Sequence, residues 1–566
     1  MTPWKFLESF RGRRFSAEWP TVIELFAVTC ERFPDRPCFT SFEPRHLTFT
    51  FSEAAAQVER VADHLAAKGI RHGDKVAVTG KNSPEWAIAY LAVLSTGATV
   101  VPLDYQLTDE EISGLLELSD ARLLFVDEEK LESLSGRASG LLEVISLSTA
   151  KPGYLLDLPE SPRRMTEPAA LDETAAILYT SGTTGHAKGV MLSHHNLVSD
   201  CFLSQTHLAL SERDVFYALL PIHHSYTMLA VLIEALSVGA QIVFGKRLAV
   251  TQILSDLSAG KVTMFLGIPM LFNKLLKGIL HGIRERGLLV YGLVRFLMTI
   301  SGAIKKLFRV NPGKRIFHAI LAKASLDKIR ICISGGGPLP AETFRAFNQL
   351  GIDFVQGYGL TETSPIVTLN PIEHYKETSV GKVIPQIEVK ILDPDEVGVG
   401  EILVKGPIVM QGYYKNAAAT QATFTEDGYL LTGDVGYLDD ENYLFLTGRK
   451  KSLIVTEGGK NVFPEEIEDY FQLYEEIEQV LVKGYLRDPK MKVEGIEAYV
   501  YPSEEFFAKR EPQAGGDRSA VEARIGEIVA EVNRKLLFYK RIDRFRLLDA
   551  PLEMTTTRKI KRFMVT

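Results

Sequence analysis

The feature that most constrains this chain is the regular alternation of short apolar runs with helical patterns. KVAVT at 75–79 precedes the helical pattern PEWAIAYLAVLS from Pro84, and ATVVPLD at 98–104 leads to a helix start at 108–111. Further apolar runs are AAILYT, DVFYALL, AQIVF, KVTMFL and KIRICIS. Strands that are apolar throughout are typical of parallel sheets covered by helices on both faces. We therefore predict an α/β fold of layered sheets with covering helices.

The pattern changes after about Asp434. The stretch LDDENYLFLTGRKKSLIV has turn residues between short apolar runs and predicts a hairpin. Pro464 suits the first turn of a helix. A second helix is predicted by the helical spacing of Val521, Ile525, Ile528, Val529, Val532 and Leu536. We therefore predict a large N-terminal region, residues 1–450, followed by a small C-terminal α+β domain, residues 451–566.

Composition limits the classes of protein that fit. The chain has 566 residues, of which 46% are hydrophobic and 24% charged, as in ordinary globular proteins. Its 64 Lys and Arg against 71 Asp and Glu give a net charge of −7, so no nucleic-acid partner is expected. The four cysteines form no CxxC pair and the N-terminus lacks a secretory pattern, which favours the cytoplasm.

The segment TSGTTGHAKG at 180–189 directly follows the apolar run ILY. Its glycines allow backbone N–H groups to approach an anion, its hydroxyls add donors, and Lys188 adds a positive charge. A Walker A loop is excluded because GxxxxGK[ST] does not match. The alternative is an ordinary surface turn, but the position after a strand and the hydroxyl density favour a phosphate loop.

This segment resembles the phosphate loop of the adenylate-forming (AMP-binding) superfamily, and in particular its long-chain acyl-CoA synthetase branch. Other motifs of that family follow in order: LPIHH at 220–224, SGGGPLP at 334–340, QGYGLTETSP at 356–365, YLLTGDVGYLD at 429–439, GRKKSLIVTEGGKNVFPEEIE at 448–468 and TTTRKIKR at 555–562. The resemblance covers roughly residues 45–566. It implies a large AMP-binding domain and a mobile C-terminal lid.

The resemblance implies ATP and Mg²⁺ as ligands. The matching nucleotide-binding residues are Thr180, Ser181, Gly182, Thr183, Thr184, Gly185, Lys188, Gly335, Gly336, Gly337, Gln356, Gly357, Tyr358, Gly359, Asp434 and Arg449. Among them Tyr358 would stack on adenine and Asp434 would accept the ribose hydroxyls. Thr361 would bind the α-phosphate, and Glu362 with Thr184 would hold the metal. For Tyr358 the alternative is a core tyrosine.

The resemblance also implies the catalytic residues and the second substrate. Lys559 would stabilise the α-phosphate while a carboxylate attacks it, and His224 would lie near that carboxylate. The alternatives are a basic tail for Lys559 and a core histidine for His224. Rotation about Lys451 would then admit CoA, whose thiol replaces AMP. Gly458 and Gly459 would let the backbone approach the path of that thiol, and Lys460 matches a polar residue near the active site.

Residues 274–330 contain thirteen Lys or Arg and two acids, giving +11, interleaved with apolar GLLVYGLV and FLMTI. This pattern predicts peripheral contact with an anionic membrane, and the alternative is a basic helical hairpin on the N-terminal domain. The apolar stretch 287–304 is expected to be an interfacial or core helix, because Arg295 lies near its middle. The function predicted is fatty acid:CoA ligation, with a long-chain acid as the expected substrate. An acyl carrier protein as acceptor, release of acyl-AMP, and a non-catalytic lipid- or nucleotide-binding protein are the alternatives.

Overall fold

The computed structural model describes residues 4–137, 140–162, 167–181, 187–247, 249–456, 460–488, 493–510, 518–555 and 559–564. Two largely parallel sheets with covering helices form the N-terminal part, which confirms the predicted α/β fold. An antiparallel sheet and a small C-terminal α+β unit follow.

The strands are β1 Pro37–Ser41, β2 Leu47–Thr50, β3 Lys75–Thr79, β4 Thr99–Leu103, β5 Ala121–Val126, β6 Glu143–Ser146, β7 Thr174–Ser181, β8 Ala187–Ser193, β9 Val215–Ala218, β10 Gln241–Phe244, β11 Met264–Gly267, β12 Ile331–Ser334, β13 Asp353–Gly359, β14 Ile366–Leu369, β15 Lys382–Val383, β16 Glu388–Leu392, β17 Gly400–Lys405, β18 Gly412–Tyr413, β19 Leu430–Leu438, β20 Leu444–Arg449, β21 Ile454–Thr456, β22 Lys460–Val462, β23 Ile477–Asp488, β24 Val493–Pro502 and β25 Arg544–Leu547.

The α-helices are α1 Val22–Arg32, α2 Phe51–Ala67, α3 Pro84–Ser95, α4 Asp109–Ser119, α5 Glu128–Arg137, α6 His194–Ser204, α7 Ser225–Thr227, α8 Glu234–Val238, α9 Val250–Ala259, α10 Pro269–Arg284, α11 Leu288–Phe308, α12 Gly313–Ile316, α13 His318–Lys323, α14 Ala341–Leu350, α15 Ala417–Thr423, α16 Pro464–Glu468, α17 Glu504–Arg510 and α18 Arg518–Lys535. A π-helical segment, Met228–Ile233, joins α7 to α8.

The first sheet has the order β18-β8-β7-β4-β3-β5-β6, with β3 to β7 parallel. Helix α3 is buried from Pro84 to Leu94, since other elements cover it on every side. Strand β8 departs from the predicted parallel arrangement and pairs antiparallel with β7. The few residues between these two strands are too short for the helical crossover that a parallel pair requires.

The second sheet has the order β15-β14-β13-β12-β11-β9-β10-β1-β2 and is parallel from β13 to β1. Strands β12 and β13 end at Ser334 and Gly359, so the segments that follow them start at the same sheet edge. Carboxyl ends of parallel strands are the usual position of ligand sites in such sheets. The third sheet, β16-β17-β19-β20, places Asp434 directly opposite Arg449 and contains the predicted hairpin.

The C-terminal residues have their own hydrophobic cluster, which includes Ile454, Phe471 and Ile496. Sheet β23-β24-β25 forms one side of it, and α18 contributes the buried residues Val521, Ile525, Ile528, Val529 and Val532. The helix predicted from the 521–536 spacing is therefore present. The domain boundary at 450–451 stays a prediction.

Helix α11 is long and apolar enough to cross a bilayer, and no other helix among the described residues meets that test. Only 17% of its most apolar window is buried. The buried face includes Met298, Ser301 and Lys305 and packs against α14. The Lys305 ammonium lies 2.7 Å from Asn348 Oδ1 and 2.6 Å from Asp353 Oδ1.

We expect Lys305→Met to destabilise the N-terminal region by about 2 kcal/mol. The change leaves the Asp353 carboxylate without its cation. Because a quarter of that side chain is exposed to water, the loss of stability is smaller than for a fully buried ion pair. Urea denaturation followed by far-UV circular dichroism measures the effect. The matched control is the exposed neighbour Lys306→Met, expected within about 0.5 kcal/mol of wild type. Equal shifts in both variants would contradict a stabilising role for the buried pair.

Candidate active site

A cavity of about 2040 Å³ lies where the carboxyl ends of both large sheets meet the C-terminal unit. The predicted site residues that border it are Thr180, Lys188, His224, Gly335, Gly336, Gly357, Tyr358, Gly359, Thr361, Glu362, Arg449, Lys451 and Lys559. Asp434 contacts two of these residues directly. Residues separated by several hundred positions in the sequence are therefore brought to one cleft.

Other predicted residues lie elsewhere or outside the described residues. Gly182, Thr183, Thr184, Gly185, Gly458 and Gly459 lie outside the described residues. Ser181 ends β7, and its backbone pairs with Ala187. Among the predicted site residues that the structure describes, Gly337, Gln356, Asp434 and Lys460 do not line the cavity themselves. Gln356 is buried in β13, where its carbonyl accepts from Asn370 N at 2.9 Å, so it has a sheet position rather than a cavity position.

Three side chains meet at the predicted ribose position. The Tyr358 hydroxyl donates to Asp434 Oδ2 at 2.8 Å, and Arg449 Nε lies 2.7 Å from Asp434 Oδ1. The Asp434 side chain is only 7% exposed, which removes most of the water from its carboxylate. The hydrogen bond from Tyr358 and the positive charge of Arg449 compensate for that loss of hydration. Each carboxylate oxygen retains lone-pair capacity for a further donor, such as a ribose hydroxyl.

The predicted phosphate end contains a second contact chain. Thr361 lies in a 3₁₀ turn, with its hydroxyl 3.3 Å from that of Ser225. The Tyr413 hydroxyl donates to Glu362 Oε1 at 3.0 Å, and Lys188 Nζ lies 4.7 Å from the centre of the Tyr413 ring. Tyr413 thus links the predicted phosphate lysine to the predicted metal ligand. Sequence reasoning missed it, because nothing within β18 marks this tyrosine as functional.

Glycine is required where the segment after β12 borders the cavity. A Cβ on Gly335 would lie 3.0 Å from Tyr226 Cζ, closer than nearly all such contacts. Gly336 adopts φ +81°, in the left-handed region that favours glycine. The Tyr226 hydroxyl donates to Ile333 O at 3.1 Å, which fixes the ring against this segment.

Lys559 reaches the cavity from a short C-terminal hairpin. Thr555 N donates to Lys559 O at 2.8 Å, and Lys559 N donates to Thr555 Oγ1 at 3.1 Å. Arg562 anchors the hairpin through Glu468 and by donating to Val482 O at 3.1 Å. Desolvation within the cleft lowers the pKa of Lys559, the nearby Arg449 lowers it further, and Asp434 opposes both. The ammonium is therefore within electrostatic reach of Arg449 and Asp434.

Two adjacent histidines border the same cavity. Burial lowers the pKa of His223 to about 3. Burial, His223 and Lys559 lower that of His224 to about 3, opposed by Asp104. Both imidazoles are therefore uncharged at neutral pH. His223 Nε2 lies 3.8 Å from Asp104 Oδ2, and its Nδ1 is buried without a hydrogen-bond partner.

One wall of the cavity is largely apolar. Its members include Leu208, Phe216, Tyr226, Ala230, Met264, Ile268 and Ile333. Tyr226 borders the cavity, whereas the nearby Met228 is fully buried in the core. Glu234 also borders it, accepts from Ser204 Oγ and, at 2.7 Å, from Gln205 Nε2. Burial raises the pKa of Glu234 to about 7.

Hydrogen bonds connect the N-terminal region to the C-terminal unit beside the cavity. Asn273 Nδ2 donates to Gln472 Oε1 at 3.1 Å, and Gln472 Nε2 donates to Pro338 O at 3.3 Å. Lys277 Nζ donates to Tyr474 O at 3.3 Å. The contacts stabilise the orientation of the C-terminal unit in which Lys559 borders the same cavity as the predicted nucleotide-binding residues.

Comparisons with known proteins agree with this geometry. Long-chain-fatty-acid–CoA ligase FadD15 of Mycobacterium tuberculosis is 30% identical over 559 residues, covering 91% of this chain and 90% of that protein. Feruloyl-CoA synthase of an Amycolatopsis species is 30% identical over 464 residues, covering 80% and 84%. A structure of O-succinylbenzoate coenzyme A synthetase (MenE) from Bacillus subtilis with ATP and magnesium has a TM-score of 0.74 at 26% identity, covering 95% of this chain and 98% of that one.

The family model of the AMP-binding enzymes matches residues 26–414, which include the phosphate-loop segment, both histidines and Glu362. Matches of this extent, together with the shared fold of the solved relatives, establish the family. The chain belongs to the AMP-binding enzyme family and has the fold of adenylate-forming CoA ligases.

Proposed function

We propose that this protein activates a long-chain fatty acid with ATP, forming acyl-AMP and pyrophosphate, and then transfers the acyl group to CoA. The observation that carries the proposal is that polar groups suited to a nucleotide and a largely apolar wall border one cavity. The fatty acid is favoured over an aromatic acid because the named fatty-acid ligase matches more of the chain than the feruloyl-CoA synthase. The apolar wall suits an alkyl chain.

In the first half-reaction the substrate carboxylate attacks the α-phosphorus and pyrophosphate leaves. Such a transfer needs positioned positive charge more than covalent help from the protein. Lys559 supplies that charge, and the Thr361 hydroxyl donates to the α-phosphate. Asp434 holds the ribose, while Arg449 keeps that carboxylate paired. The uncharged His224 is a hydrogen-bonding partner for the acid rather than a cation competing for it.

A magnesium ion fits the Glu362 end of the cavity. Mg²⁺ is commonly bound by one or two carboxylates together with substrate phosphates and water, not by an all-protein cage. Within the described residues no group of three or more His, Cys, Asp or Glu could form such a cage. Glu362 therefore has the role of the single carboxylate ligand, held by the Tyr413 hydroxyl. The ion would neutralise charge on the phosphates.

We expect pyrophosphate release to increase with chain length across saturated acids from acetate to a twenty-carbon acid, because longer chains bury more apolar surface. The assay is ATP-dependent pyrophosphate release, followed by thioester analysis with CoA or with an acyl carrier protein. Thioester formed only on the carrier, or acyl-AMP without thioester, would support the corresponding alternative. No pyrophosphate with any acid would favour a binding protein.

We expect Lys559→Ala to reduce acyl-AMP formation by about 10²- to 10³-fold, the usual loss when one charge-stabilising donor is removed. Thioester formation from supplied acyl-AMP should remain within a few fold of wild type. Lys561→Ala is the matched control, because its ammonium lies in the same hairpin, 3.4 Å from Glu553. Equal loss of both half-reactions in Lys559→Ala would contradict a role confined to adenylation.

We also propose that the protein acts in the cytoplasm at the surface of an anionic membrane, through α11. The outer face of this helix carries an apolar stripe, Leu289, Leu293, Phe296, Ile300, Ala303 and Leu307, at alternating spacings of four and three. Leu289 is 91% exposed and Phe296 62% exposed. Exposed apolar rows of this length are unusual on soluble proteins and mark contact surfaces.

The surroundings of the apolar stripe favour a bilayer over a second protein. Exposed basic side chains on the neighbouring segments include Lys274, Arg284, Arg286, Lys306, Arg309, Arg315 and Lys323. The exposed acid Glu285 lies 3.3 Å from His281. An apolar stripe flanked by cations complements anionic headgroups above acyl chains. A fatty acid dissolved in the bilayer would then be close to the enzyme.

The protein is expected to float with vesicles of phosphatidylglycerol and phosphatidylcholine at low salt and to dissociate as salt increases. Leu293→Glu combined with Phe296→Glu should abolish flotation, because both charges would enter the apolar layer. The matched control is Phe538→Glu, an 83% exposed phenylalanine outside this region. Wild-type protein that stays at the bottom of the gradient at low salt, or that dimerises through this face in gel filtration, would overturn the membrane proposal.

A further inference from the structure

The cavity has a third group of lining residues that neither the nucleotide nor the alkyl chain explains. They run from the end of β4 into α4 and include Asp104, Gln106, Thr108 and Glu111. His223 lies between this group and His224, the residue assigned above to the acid: its ring centre is 6.4 Å from that of Tyr105 and 5.9 Å from that of His224. The second substrate, a thiol, must reach the carbonyl of the acyl-AMP from a side that these two ligands leave open.

His223 has an unusual combination of properties for a buried side chain. It is only 7% exposed, and its Nδ1 has no hydrogen-bond partner within the described residues. Buried polar atoms are normally paired, so the unpaired Nδ1 of this cavity-lining residue becomes available to a ligand group once the ring turns it toward the cavity. Its other nitrogen, Nε2, faces Asp104 Oδ2 at 3.8 Å. A carboxylate on that side favours the tautomer with the proton on Nε2, which leaves a lone pair on Nδ1.

We propose that His223 Nδ1 accepts the proton of the attacking thiol in the second half-reaction and that Asp104 positions the ring for it. The inference rests on the function proposed above. The sulfur–hydrogen bond breaks toward Nδ1 as the carbon–sulfur bond forms at the acyl carbonyl. The bond from that carbon to the phosphate oxygen then breaks, and its electron pair leaves with AMP. Asp104 stabilises the imidazolium while it exists, and the proton passes on to AMP or water.

The surroundings of His223 suit a transient acceptor. Burial keeps the imidazole uncharged before the thiol arrives, so its lone pair is not already protonated. The lowered pKa also makes the ring a weak base, so the transfer depends on the Asp104 carboxylate to stabilise the protonated ring. The titratable side chains near the ring are Asp104, Tyr105 and His224, and Lys559 acts on His224. Asp104 is the acid in that group, so it is the one that can stabilise a positive ring.

The test separates the two half-reactions in His223→Phe and His223→Gln. ATP–pyrophosphate exchange with a fatty acid reports adenylation, and single-turnover reaction of preformed acyl-AMP with CoA reports thiol transfer. We expect exchange within about threefold of wild type, which also shows that the variants fold, and transfer reduced by about 10²-fold or more. Asp104→Asn should cause a smaller loss of transfer alone.

Measuring the transfer rate over a series of pH values separates proton transfer from a packing role, because loss of packing alone would give the same defect at every pH. A thiolate needs no proton acceptor, so the transfer defect of His223→Phe should shrink as pH approaches the thiol pKa of about 8.5. Tyr105→Phe is the matched control, because it keeps the ring near His223 and removes only the hydroxyl. It should leave both rates and their pH dependence unchanged.

Three results would overturn the inference: transfer that is unaffected in both His223 variants, equal loss of exchange and transfer, or a defect that does not change with pH. If wild-type enzyme makes acyl-AMP but transfers it to neither CoA nor a carrier-protein thiol, the inference is also wrong, although adenylation stands. If wild-type enzyme shows no exchange with any acid, the proposed function itself fails. The two failures are therefore distinguishable.

Discussion

The paired carboxylate of Asp434 is the interaction on which the site depends. It joins the second parallel sheet, through Tyr358, to the antiparallel sheet, through Arg449, and both partners border the cavity. A largely buried carboxylate without such partners would carry a desolvation cost of several kcal/mol. The pair also adjusts the environment of Lys559, which is close enough for both charges to influence its pKa. One carboxylate thus holds three chain segments in a common frame.

Much of the fold was predictable, because apolar strands and helical spacing are local signals. The α/β class, a hairpin in the stretch 438–455 and a helix from the 521–536 spacing were all predicted from patterns within short windows. The structure has β19 paired with β20 at the start of that stretch and α18 over Arg518–Lys535. The family motifs also indicated which residues would share a cleft, and Thr361, Arg449 and Lys559 do border one cavity. Strand β8 was not predicted from these patterns, and its antiparallel pairing with β7 fits the shortness of the segment between them.

The features that sequence reasoning missed depend on partners that are distant in the chain. Tyr413 is recognised as a site residue only from its contacts with Lys188 and Glu362, which are distant in the sequence. In the sequence Glu234 is an ordinary helical glutamate. In the fold it is buried and borders the apolar part of the cavity. Helix α11 was compatible with core or surface, because its composition does not say which neighbours cover it. One face of the helix packs against α14 and α10, and the opposite row is left in solvent.

The hydrogen bonds at the seam between α10 and the C-terminal unit have a dynamic consequence. Three hydrogen bonds, each contributing about 1 kcal/mol, connect the N-terminal region to the C-terminal unit at this seam. Their donors are the side chains of Asn273, Lys277 and Gln472. The three bonds together correspond to a preference of roughly a hundredfold for this orientation of the C-terminal unit, a preference that would fall when pyrophosphate leaves and removes charge that attracts Lys559. In the proposed reaction, formation of acyl-AMP and release of pyrophosphate would then set the moment at which the C-terminal unit turns.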